Sequence, residues 1–184
     1  MGARMTSLVR SFVNPVTVGL GVVLIGLCAV LVRQARAGKG SPGAGVAALV
    51  VWVSVLVYVT LVVPSSSQLP VRVGLMPLVD TVRGLRSGAA ENVLAATVAN
   101  VALFVPLGLV WALSRAAVTG ADGGWWRVGV GGLGVSALVE AAQWGLGFGA
   151  VTSDDLIANS AGAVLGWVVG MRVGRGVRGS ELVP

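Results

Sequence analysis

Five stretches of this chain are apolar apart from isolated polar residues: 16–32, 44–63, 94–113, 128–146 and 156–173. About 20 such residues cross a hydrocarbon core as a helix, because a helix satisfies every backbone N–H and C=O within the segment. Breakers stand between the runs: Pro64 with the serines that follow it, and Gly120, Gly123 and Gly124. The expected fold class is all-α, a polytopic membrane helix bundle of about five transmembrane helices plus one interfacial amphipathic helix. With 184 residues, 55% of them hydrophobic and 11% charged, the chain has no room for a soluble domain. The expected divisions are an N-terminal anchor helix and basic loop over 1–43, the main membrane domain over 44–173, and a short basic tail over 174–184.

The first run ends at Arg33, which reads as a stop signal. Ala35-Arg36-Ala37 loosely resembles a signal-peptidase site, but the apolar run is long for a signal peptide, so a retained helix is expected. The connection over 64–92 is the long one. Within it Leu75, Leu78, Val79, Val82 and Leu85 form an apolar stripe, with Asp80, Arg83 and Arg86 spaced three apart on the other face. That pattern predicts a helix lying in the membrane interface over 71–87. Pro106 interrupts the third run and predicts a kink. Gly162, Gly166 and Gly170 recur every four residues and predict close approach by another helix.

The net charge of +6 is carried almost wholly by arginine. Arginines at the ends of apolar runs, without interleaved aromatics, fit membrane anchors and exclude a nucleic-acid partner. Cys28 is alone and lies mid-run, so it reads as an inert core thiol with no disulfide within the chain. Histidine is absent, which removes the commonest metal ligand and general base.

Five crossings put the termini on opposite sides. Arg33, Arg36, Lys39, Arg115, Arg127, Arg172, Arg175 and Arg178 gather on one side, and Arg4, Arg10, Arg72, Arg83 and Arg86 on the other. The positive-inside rule then predicts the N-terminus outside and the C-terminus in the cytoplasm. Abundant Ala, Val and Gly hint at a bacterial source, and so at a multi-pass protein of the bacterial plasma membrane.

Residues 136–166 concentrate the polar groups. Glu140 and Gln143 share one helix face, and Asp155 and Asn159 share another across a short hinge. Asn100 from the third run, Glu140, Gln143 and Asn159 fall at a common depth of roughly 5–13 Å from the outer helix ends, and the loop with Asp154 and Asp155 faces outward. Ionisable groups inside a membrane are costly and mark function. The candidate functional cluster is therefore Asn100, Glu140, Gln143, Asp154, Asp155 and Asn159, with Arg83 able to dip towards Glu140 from the amphipathic segment. No catalytic residue is assigned. The expectation is no cofactor, with Glu140, Asp154 and Asp155 as the set that would hold Mg²⁺ if a metal is present. A plainer role stands beside this for Asp154, which suits the start of the fifth span as a helix cap.

Three ordered patterns resemble the VanZ-like family of bacterial integral membrane proteins: Asn100-x-x-x-Phe104-x-Pro106-x-Gly108, Ser136-x-x-x-Glu140-x-x-Gln143, and Asp155-x-x-x-Asn159-x-x-Gly162-x-x-x-Gly166. The resemblance covers about 46–170. Gly74-Leu75-Met76-Pro77-Leu78 is similar to the family's Asn-Leu-x-Pro segment, with Gly74 in place of the asparagine. Gly149 and Thr152 stand where the family often has an arginine and an aspartate. What the resemblance implies is a role in tolerance of teicoplanin, a lipidated glycopeptide acting at the outer membrane face. It supplies no reaction.

Two functions of different class follow. One is a binding protein whose outward-facing polar site engages a membrane lipid, a cell-wall precursor or a lipoglycopeptide. The other is a membrane-embedded enzyme acting on an envelope lipid or cell-wall precursor through its carboxylates. There is no Ser-His pair, no HExxH and no P-loop. A transporter is disfavoured, since the chain lacks an inverted repeat.

Overall fold

The computed structural model describes residues 15–37, 42–62, 73–74, 76–118, 124–147 and 151–175. Gly149, Leu75, the tail beyond Arg175 and the basic residues Arg4, Arg10, Lys39, Arg72 and Arg178 lie outside the described residues.

The chain is all-α, as expected. Among the described residues six α-helices follow in order: α1 (Pro15–Ala37), α2 (Pro42–Val57), α3 (Val79–Arg86), α4 (Ala90–Val118), α5 (Trp125–Gly145) and α6 (Ser153–Arg175). A single π-turn, Tyr58–Val62, prolongs α2. Two-residue strands β1 (Val73–Gly74) and β2 (Val151–Thr152) pair in parallel, with Val73 opposite Val151 and Gly74 opposite Thr152. This clasp ties the start of the amphipathic segment to the entrance of α6.

Four described helices are long and apolar enough to cross a membrane, over Val18–Ala37, Gly43–Leu61, Ala90–Arg115 and Ser153–Gly174. α5 is as long, at 21 residues, but Glu140, Gln143 and its glycines dilute its apolar character. It packs chiefly along α6, whereas α1 and α2 flank α4. Large apolar side chains face outward on each of the long helices, among them Ile25, Val46, Leu94, Leu138 and Leu165. That is the surface a bilayer covers.

The centre of the bundle is the α4–α6 pair. A Cβ on Gly162 would overlap the Val101 carbonyl, and one on Gly166 the Val105 carbonyl. In return, a Cβ on Gly108 of α4 would overlap the Ala163 carbonyl. Lipid tails are as apolar as leucine, so close backbone approach rather than apolar burial holds such a pair together. The α2–α4 contact is aromatic. Trp52 and Phe104 are both buried, with ring centroids 5.6 Å apart at 78°. The Trp52 indole donates to the Leu103 carbonyl at 2.8 Å, in the turn that Pro106 deprives of a backbone donor. α4 runs unbroken through Pro106. Cys28 packs against this core as a free thiol.

The amphipathic helix is shorter than the stripe over 71–87 predicts. Val73 and Gly74 are in the strand clasp, and Leu78 has φ +65° immediately before α3 begins. Pro77 disfavours a helical Met76, and the left-handed Leu78 sets the first helical residue at Val79.

Candidate functional site

The polar residues converge where α4, α5 and α6 meet beneath α3. α6 opens at Thr152-Ser153-Asp154-Asp155, with Thr152 as its N-terminal cap. Thr152 Oγ1 accepts from the Asp155 backbone N–H at 3.1 Å and donates to the Asp155 carboxylate at 2.7 Å. Asn100 Nδ2 of α4 donates to the other oxygen of Asp155. One carboxylate thus binds three elements together.

One turn further along α6, Asn159 Nδ2 donates to Ser136 Oγ of α5 at 2.8 Å, with both residues buried. Glu140 stands one turn from Ser136 on the same face of α5, only 6% exposed. Its carboxylate lies near the Thr152 backbone N–H and within electrostatic reach of Asp155. Two acceptors here, Glu140 Oε2 and Asn159 Oδ1, are buried and receive no hydrogen bond. Removing such an acceptor from water without a donor is costly, and an ionised carboxylate far more so.

Asp154 points the other way. It accepts from the Leu78 N–H, from the Thr81 N–H at 3.0 Å and from the Thr81 hydroxyl at 2.7 Å. These are the first-turn donors of α3, so Asp154 caps α3 from a distant part of the chain. The cap of α6 is Thr152, which corrects the reading of Asp154 as the cap of its own helix.

Gln143 is also drawn elsewhere. Its amide donates to the Thr60 carbonyl at 3.2 Å, within the π-turn that ends α2. Arg83 pairs with Asp80 at 3.2 Å on the exposed side of α3, and not with Glu140. Among the described residues no three carboxylates or thiols are grouped to hold a metal ion. Glu140, Asp154 and Asp155 therefore do not form the ligand set considered for Mg²⁺, because Asp154 is committed to α3 and Asp155 to Asn100 and Thr152.

Thr152, Ser136, Thr81 and Thr60 join the site without having been singled out as members of it. The spacing of Thr152 and Asp155 marks Thr152 in the sequence, and Ser136 sits in the Glu140 pattern. Thr81 and Thr60 carry no local signal. Thr152 and Gly74, two departures from the family pattern, stand opposite each other in the clasp. Gly74 lies under the Asp80 carboxylate, where a Cβ would overlap it.

Apolar helices around a polar knot at one end of a bundle define a multi-pass integral membrane protein. The chain belongs to the VanZ/LLP1 family, whose model matches residues 46–174. No curated protein and no solved structure matches it.

Proposed function

We propose that this VanZ-like membrane protein binds an envelope lipid, a cell-wall precursor or a lipoglycopeptide in the polar site between α4, α5 and α6, and thereby contributes to teicoplanin-type tolerance. The observation that carries the reading is the pair of buried acceptors, Glu140 Oε2 and Asn159 Oδ1, that receive no hydrogen bond. Such a pair favours a ligand that brings donors, the sugar hydroxyls or ammonium group of an envelope amphiphile. Asp155, held by Thr152 and Asn100, serves as the fixed wall against which that ligand rests.

Glu140→Gln keeps the shape of the side chain and removes its charge. The variant should insert at wild-type levels and lose tolerance in a susceptible host expressing it at matched membrane abundance. Equal tolerance from both proteins would remove the carboxylate from the mechanism. No tolerance from the wild type would refute the carried-over role for this member.

The membrane is the bacterial plasma membrane in this reading, with the N-terminus outside, the C-terminus cytoplasmic and the polar site opening outward. The eight-to-five distribution of basic residues supports that orientation. A reporter fused after Pro184 should be active only if it is one that works in the cytoplasm. Activity of an exported-type reporter there would turn the site to the inner face.

A further inference from the structure

α3 has two faces that do different things. Thr81 is held by Asp154, and Gly84, three residues on, lies against Val93 of α4. Those two positions make the docked face. On the opposite face, an open cavity of about 690 Å³ is lined by Pro77, Leu78, Val79, Val82, Arg83 and Arg86. None of the residues of α3 is buried, and Leu78, Val79 and Val82 are exposed to 58%, 38% and 41%. α3 carries the amphipathic pattern of a helix that lies in the membrane interface.

Arg83 and Arg86 line the groove together with Leu78, Val79 and Val82, which corrects the expectation that these arginines take the face opposite the apolar stripe, while Asp80 stands outside the lining. Asp80 takes one N–H of the Arg83 guanidinium and so orients it. An arginine has five N–H donors in a fixed fork suited to phosphate, so most of that fork still faces outward. Arg86 adds a second cation one turn on, leaving the groove with a net positive charge beside an apolar wall.

We infer that this groove is a binding site for an anionic phospholipid of the surrounding bilayer, its phosphate on Arg83 and Arg86 and the start of its acyl chains on Leu78, Val79 and Val82. The apolar wall selects a lipid over a free phosphate. The site is separate from the polar cluster around Glu140 and does not depend on the function proposed for it.

The test is native mass spectrometry of the protein released from nanodiscs made of equal parts phosphatidylcholine and phosphatidylglycerol. The wild type should retain phosphatidylglycerol in preference to phosphatidylcholine. Replacing both Arg83 and Arg86 by Gln should lower that retention by roughly tenfold or more, at the scale of electrostatic attraction expected for two arginines near a membrane surface. Gly131→Ala, on the exposed side of α5 and in neither polar site, should retain the lipid as the wild type does. Both arginines are exposed, so the double variant should fold, and Arg86→Gln alone gives a milder version with an intermediate loss. Equal retention of the two lipids by the wild type, or undiminished retention by the double variant, would overturn the site. Displacement of the lipid by millimolar glycerol phosphate would overturn the role of the apolar wall, since a headgroup alone would then suffice.

Discussion

Thr152 receives the Asp155 N–H and returns its own hydroxyl proton to the Asp155 carboxylate. A helix cap is worth about 1 kcal/mol, and a hydrogen bond to a charged group adds to it. Thr152→Val keeps the shape and removes both bonds. It should lower the unfolding temperature in detergent by a few degrees, whereas Thr152→Ser, which keeps the hydroxyl, should stay near wild type. Tryptophan fluorescence during heating reads the difference. Equal melting of the two variants would show that the hydroxyl contributes nothing. At this scale the sequence was partly legible. Residue types and spacing marked Glu140, Asp155 and Asn159 as polar groups sharing helix faces, and the structure brings those faces together with Asn100. Spacing did not show partners, because Asn100 meets Asp155 across 55 residues and Asp154 meets Thr81 across 73. Helical periodicity assigns a face and is silent about what that face meets.

Among the elements, α3 depends most on a single distant side chain. An eight-residue helix is too short to persist alone in water. Leu78 enters it in a left-handed conformation and brings no side-chain cap of its own, so the first-turn N–H groups rely on Asp154. Asp154→Ala should release that turn. Hydrogen exchange at the Leu78 and Thr81 amides should then quicken by about tenfold, the equivalent of about 1.4 kcal/mol, which is modest for bonds to a charged group. Amides in the middle of α4 should be unchanged. Unaltered exchange at Leu78 and Thr81 would mean that the interface, not Asp154, holds α3. The apolar stripe foretold such a helix, but its start was set by the left-handed Leu78 and the clasp with β2. Two residues of strand leave no alternation from which a pairing can be read. The π-turn after α2 was equally hidden, since its i→i+5 bonding has no residue signature comparable to a proline or a cap.

For the whole molecule, the apolar runs and the four-residue glycine spacing were enough to give the class of fold and the closest helix contact. What they did not give was the subordinate apolarity of α5, whose Glu140 faces a polar knot formed with α4 and α6 while Gln143 turns to the Thr60 carbonyl. The glycine contact is where the bundle is most exposed to a single substitution. At Gly166 even one methyl group meets backbone, the Val105 carbonyl and the Leu109 N–H, which cannot swing aside as a side chain can. The helices would have to separate, and the loss would spread along the α4–α6 seam. Gly131 of α5 is the internal control. It is exposed, with nothing within 4 Å of its added Cβ. Alanine in place of an exposed mid-helix glycine ordinarily stabilises by about 1 kcal/mol. Gly166→Ala should therefore lower both the yield of monodisperse protein in detergent and its unfolding temperature, while Gly131→Ala should match or exceed the wild type. The opposite signs matter more than either magnitude, because helix propensity alone would make both substitutions favourable. If Gly166→Ala also stabilises, α4 and α6 do not meet as closely as the packed backbones require, and the placement of Asn100 against Asp155 at the end of that seam would fall with it.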